Sequence, residues 1–295
     1  MSKEFNLSTL LTVLVFIFCF SEGLSQGDSQ VYLVDIAQNT KGFQFQNFKK
    51  ISTDKGYNNQ PYFKDNTTLL YAKNKEGQTD IGCYNLIENS EIFWNSKTEG
   101  GEYSPQPIPN RDDIAAVRLD PDGLQRLYRY PKNGVGKELI PNAVVVYYCF
   151  YDENTVVSSV IITEELHLIV YDLKGEQSYK LLKGSGRSIH KIPLKEAVSY
   201  SAENEELNFD IYQLDMDGLE SYFICQLPIG VQDYVWWDDA RIIIGSGAQL
   251  FMYDLFSTDE WKKIADFSEH NITNITRLAI SPDGTQLALV AEPKN

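Results

Sequence analysis

Apolar residues along this chain come in short runs, alternating with polar positions or continuous over about 5 to 9 residues, and rich in Val, Ile, Tyr and Phe. Each run gives way to a cluster of Asp, Asn or Gly, residues that accept local backbone hydrogen bonds and tolerate tight turns. The pattern predicts strands joined by short turns, and it repeats. Tyr84, Tyr128, Tyr171, Tyr212 and Tyr253 stand at intervals of 44, 43, 41 and 41 residues. They fall in the runs DIGCYNLIENS, LQRLYRYPKNG, LHLIVYDLKG, FDIYQLDMDG and AQLFMYDLFSTD. A second marker, a polar turn after an aromatic or apolar run, recurs near Asp65, Arg111, Glu153, Glu196, Asp239 and Asp283, at intervals of 46, 42, 43, 43 and 44. Two markers kept in register at this period point to stacked β-sheet units rather than to a β-sandwich, which has no reason to keep them.

Each unit holds four strand-like runs. The first, about 57–101, reads NQPYFKD, TLLYAKN, DIGCYNL and EIFWNSK; further units cover about 102–145, 146–188, 189–231 and 232–274. From Ile275 the chain offers only two runs, ITRLAIS and TQLALVA, and two others, QVYLVDI (30–36) and FQFQNFKKIS (43–52), are left over before the first unit. Val34-Asp35-Ile36 occupies the place of Tyr171-Asp172-Leu173. The prediction is an all-β, six-bladed β-propeller of four antiparallel strands per blade. Its sixth blade combines 275–295 with about 29–53, so the ring closes and free sheet edges disappear.

Residues 1–25 read as a secretory signal peptide: Lys3, the apolar run Leu7 to Phe20, then SEGLSQ, with Gly23 and Ser25 placed for a cut before Gln26. The run is short for a membrane span, which takes about 20 apolar residues. FIFC lacks the small residues expected ahead of a lipidated Cys19. The expected mature chain is a single propeller domain, 26–295, monomeric, and periplasmic or secreted. A net charge of −15 argues against nucleic acid and anionic membrane surfaces as partners. Cys83, Cys149 and Cys225 sit in apolar runs and read as buried thiols, not as a disulfide framework.

LAISPDGTQLALVA (278–291) resembles the WD40-like (PD40) repeat of the TolB-like periplasmic propellers, and NFDIYQLDMDG (208–218) resembles that family's next strand and its DxDG turn. Closure by an N-terminal strand pair is also similar to the family. The small α/β domain that precedes the propeller in the Tol-pathway protein has no counterpart here. The resemblance implies an exported, non-enzymatic propeller that binds other proteins, with an envelope protein as partner.

No residue cluster dictates a reaction. His167, His190 and His270 are not spaced with one another or with cysteines as metal ligands, so no metal and no cofactor is expected. The carboxylate groups Asp112-Asp113, Glu164-Glu165, Glu203 to Glu206 and Asp238-Asp239 fall at turns, as solvated charges do. The glycines of GSGRS (184–188) and GSG (245–247) do not make a nucleophile elbow and read as turns. Asn66, Asn271 and Asn274 are N-x-S/T sites relevant only to a eukaryotic secretory route. The candidate binding residues lie where loops meet inner strands: Tyr57, Tyr103, His190, Tyr234 and Trp236. Tyr and Trp there suit an interface core, although packing between blades is the competing role. A binder of glycans or small ligands, with or without lyase or hydrolase activity at the channel mouth, is the alternative function.

Overall fold

The computed structural model describes residues 28–294 other than 40–41, 96–97, 133 and 258–259. The apolar run Leu7 to Phe20 and its cleavage site lie outside the described residues. Six four-stranded sheets are arranged as blades, each antiparallel. Their innermost strands are Asn58–Asp65, Gly101–Pro107, Val144–Phe150, Ser185–Lys191, Val235–Trp236 and Ile272–Ile280. We number the blades 1 to 6 in that order.

Blade 6 is assembled from both ends of the described chain. Ile272–Ile280 and Gln286–Pro293 supply its inner pair, Gln30–Asn39 and Gly42–Lys50 its outer pair. The join runs from Gln30↔Ala291 to Asp35↔Gln286. Gln286 Nε2 adds a side-chain bond to Asp35 Oδ1 at 2.7 Å. A short parallel bridge, Ser29↔Tyr57, then ties the closing strand to blade 1. The ring is therefore closed, as the leftover runs at the two ends predict.

The core is divided into six apolar layers, each between neighbouring blades. The repeating tyrosines mark them one by one. Tyr84 packs between blades 6 and 1, Tyr128 between 1 and 2, Tyr171 between 2 and 3, Tyr212 between 3 and 4, and Tyr253 between 4 and 5. Val34 holds the corresponding position between blades 5 and 6. Each marker thus leans on the preceding blade from the third strand of its own, and the period is a packing period.

The turn marker also has a physical basis. Asp65, Asp152, Asp238 and Asp283 each accept the backbone N–H two residues on through Oδ1, at 2.8 to 3.0 Å. These are Asx turns. The turn reading of the glycines needs correction. Gly184 and Gly247 have positive φ, +82° and +57°, and do turn the chain. Gly186 and Gly245 lie inside strands. A Cβ on Gly245 would come within 2.9 Å of the Ile275 carbonyl, so that glycine serves close blade-to-blade approach. His167 is a buried strand residue; Cys149 and Cys225 are buried free thiols, whereas Cys83, also free, is only half-buried. Among the described residues no helix is long and apolar enough to cross a membrane.

Candidate functional site

The inner strands do not run in simple register with their neighbours. Register slips occur between Asn59 and Tyr62, Tyr103 and Gln106, Val145 and Tyr147, Ser185 and Ile189, and Thr273 and Arg277. Bulges re-aim side chains, and here they break the strand period where the strands line the channel. Gln60, Ser104 and Asn274 accordingly adopt positive φ, 57°, 51° and 48°. Polar groups then stitch one inner strand to the next. Gln60 Oε1 accepts Ser104 N–H at 2.9 Å, Gln106 Nε2 donates to the Tyr148 carbonyl at 2.9 Å, and Tyr148 Oη donates to the Ser104 carbonyl at 2.8 Å.

All six blades contribute to the channel. Its most charged point is a three-residue cluster. Asp233, just before the inner strand of blade 5, accepts Arg187 of blade 4 on Oδ2 and Arg277 of blade 6 on Oδ1. All three side chains are largely withdrawn from solvent. One carboxylate between two guanidinium groups leaves a net positive charge in the channel. Arg187 Nε is buried with no hydrogen-bond partner among the described residues. Burial holds both arginines below their ordinary pKa, and the Arg277 value falls to about 10 with Arg187 adding to the effect.

Tyrosines surround this cluster. Tyr57 and Tyr103 meet edge to face with ring centroids 5.8 Å apart. Burial pushes the Tyr57 phenol up to about 12, against the opposing pull of Arg277. Deeper in, His190 packs against Tyr234 with ring centroids 4.9 Å apart. Its Nε2 lies 3.0 Å from Ser188 Oγ. Burial, then Arg277, pushes the His190 pKa down to about 4, so the imidazole is neutral at physiological pH.

The two ends of the channel differ. At the end carrying the blade-to-blade loops, a polar cavity of ≈ 400 Å³ is lined by Gln232, Ser246, Asn274 and the charged cluster. At the opposite end, a cavity of ≈ 240 Å³ is lined mainly by Pro61, Tyr62, Phe63, Trp236, Leu278 and Pro282. Together these groups make a site able to hold an anion with oriented donors. Ser188 and His190 have the composition of a nucleophile and its base. Ser188 is buried, however, and its hydroxyl also accepts the Tyr234 N–H at 3.3 Å. No cluster of three or more His, Cys, Asp or Glu arranged for a metal ion occurs among the described residues.

The sequence-predicted residues divide into two groups. Tyr57, Tyr103 and His190 stand at or in the channel. Tyr234 and Trp236 are buried and share one acceptor: Ser199 Oγ receives Tyr234 Oη at 2.9 Å and Trp236 Nε1 at 2.7 Å. Their bulk belongs to the layer between blades 4 and 5, while Tyr234 also borders the middle of the channel and Trp236 its apolar end. His190 does not open its inner strand. The strand begins at Ser185, inside GSGRS, which places His190 near the far end. Arg187, Asp233, Arg277 and Tyr147 were not singled out from the sequence. The available signal was a charged or aromatic residue interrupting an inner-strand run, as in GSGRS and ITRLAIS.

These features define a six-bladed propeller with a cationic channel, and the architecture matches the TolB propeller. A putative TolB from Agrobacterium tumefaciens aligns over 90% of this chain and 98% of its own, with a TM-score of 0.66 and 13% identity. TolB from Acinetobacter baumannii aligns over 97% of this chain and 69% of its own, with a TM-score of 0.59 and 8% identity. An oligogalacturonate lyase in complex with manganese aligns over 87% and 84%, with a TM-score of 0.54 and 14% identity. At such identities the likeness is one of fold. No protein-family model matches the sequence, and no curated protein matches it.

Proposed function

We propose that this chain is a non-enzymatic binding propeller of the cell envelope that docks a protein partner on its loop-bearing face. The observation that carries the reading is the mouth itself, where Tyr57, Tyr103 and Tyr147 surround the Arg187–Asp233–Arg277 cluster. Tyr and Arg are the side chains that most often anchor interfaces, and bulged strands and ion pairs hold these in place. The envelope location rests on the apolar run Leu7 to Phe20. Likeness of fold to TolB supports the reading without supplying the partner.

The test is capture of a partner from envelope extract, with Tyr103→Ala as the probe and Phe256→Ala, an exposed residue away from the channel, as control. Loss of a central aromatic anchor is expected to weaken the captured complex about tenfold or more, while the control retains it. Equal capture by Tyr103→Ala, or no partner at all, overturns the proposal.

A second reading is favoured by the unpartnered Nε of Arg187 and the net positive charge beside it: a small anionic ligand held in the channel. The neighbouring fold named for oligogalacturonate, a polyanionic sugar, lends this reading support of the same fold-level kind.

A further inference from the structure

The channel is polar and cationic at one end and apolar at the other, and each end shares residues with the middle. Arg187, Asp233 and Arg277 line both the loop-side cavity and the middle of the channel. Pro61, Tyr62, His190 and Leu278 line both the middle and the apolar end. We infer that the channel is a site for a monocarboxylate with an apolar tail, its carboxylate on Arg187 and Arg277 and its tail directed past His190 toward Tyr62, Leu278 and Trp236. This rests on the small-ligand reading above and adds the chemistry of the ligand.

Charge sets the head. Two arginines less one aspartate leave a single positive charge, which one carboxylate neutralises. A guanidinium offers fixed paired donors that match a carboxylate, and Arg187 Nε is a donor still unused. Ser188 and His190, in the middle of the channel, add no charge: they hydrogen-bond each other, and His190 is neutral. Lys191, at the apolar end, does not reverse the polarity, because its Nζ donates to the Tyr151 carbonyl at 3.1 Å and lies over the Tyr151 ring.

Shape sets the tail. From Arg277 the inner strand of blade 6 continues as Leu278, Ala279 and Ile280, a path of about 10 Å at strand rise. Pro61 and Phe63 of blade 1 and Trp236 of blade 5 border the same section. A medium-length alkyl chain would bury apolar surface there, and each added methylene would tighten binding. A polyol chain would instead leave hydroxyls against Leu278, Phe63 and proline rings, at a desolvation cost.

Calorimetric titration of the whole chain at neutral pH tests the inference, with octanoate as probe and gluconate, acetate and octanol as comparators. Octanoate is expected to bind at least about tenfold more tightly than each comparator, since each lacks either the tail or the charge. Arg277→Gln is expected to weaken octanoate about tenfold, and its thermal melt reports whether the fold survives. The ligand series on the unmodified protein stands even where that variant fails to fold. Gluconate or acetate binding as tightly as octanoate overturns the apolar tail but leaves the small-ligand reading intact. Octanol binding equally overturns the carboxylate head. If none of the compounds binds, both readings fail.

Discussion

Deleting residues 26–52 is expected to abolish the cooperative thermal transition near that of the full chain, leaving a product that melts tens of degrees lower or aggregates. The deletion removes the two outer strands of blade 6. Val31, Leu33, Val34 and Ile36 are all buried there, and their removal bares Leu287, Ala288, Leu289 and Val290 on the partner strand. Each large apolar side chain whose burial is lost removes about 1.5 to 3 kcal/mol of stability. Four of them on the deleted strand alone reach the size of a typical domain's whole stability, about 5 to 15 kcal/mol. Two layers are lost together, because Val34 and Ile36 pack toward blade 5 while Val31 and Leu33 pack toward blade 1. The strand Gln286–Pro293 becomes an open edge with unpaired backbone groups. Scanning calorimetry of residues 26–295 and of residues 53–295 is the measurement. An unchanged transition would mean that closure contributes nothing to the stability of the ring.

The same packing explains why the architecture is legible in the sequence. A position that must fill one inter-blade layer recurs once per blade, so Tyr84, Tyr128, Tyr171, Tyr212 and Tyr253 keep their interval. Val34 shows that the requirement is bulk, not the phenol. Asx turns recur for an equally local reason: an Asp or Asn side chain binds the backbone two residues ahead wherever the chain reverses.

The channel is far less legible. Its lining follows the bulges, which displace residues from the two-residue strand period, and a bulge leaves little trace in an apolar pattern. GSGRS has no apolar alternation at all, so Arg187 is hidden in what reads as a turn. Asp233 precedes an inner strand only two residues long, Val235–Trp236. Arg277 interrupts an otherwise apolar run, and only its meeting with Asp233, across blades, gives it meaning. Tyr234 and Trp236 show the converse. Aromatics at a loop-to-strand junction suit an interface, yet Ser199 of the neighbouring blade supplies the acceptor that lets both turn inward.

Glu102→Gln is expected to raise stability at alkaline pH and to flatten its dependence on pH. Glu102, on the inner strand of blade 2, is fully buried. Tyr130 Oη and Thr98 Oγ1 donate to its Oε1 at 2.9 and 2.6 Å, and Asp80, also buried, is close enough to repel a second negative charge. Burial raises its pKa above the ordinary glutamate value, and Asp80 adds to the rise while the two hydroxyls partly oppose it. The sign follows from linkage. With the folded pKa above the unfolded one, the native chain keeps a proton that the unfolded chain has released. This contribution is fully present below the unfolded pKa and is lost as pH rises through the folded pKa. Over that window one retained proton lowers stability by up to about 1.4 kcal/mol per pH unit. The glutamine amide has no proton to lose. It can accept from Tyr130 and Thr98 through its oxygen and donate to Asp80 through its nitrogen. Melting temperatures of the two proteins from about pH 5 to about pH 8 are therefore expected to diverge, the variant gaining on the native chain as pH rises. Each kcal/mol corresponds to roughly 2 to 4 °C in a domain of this size. Parallel profiles would show that Glu102 does not hold that proton.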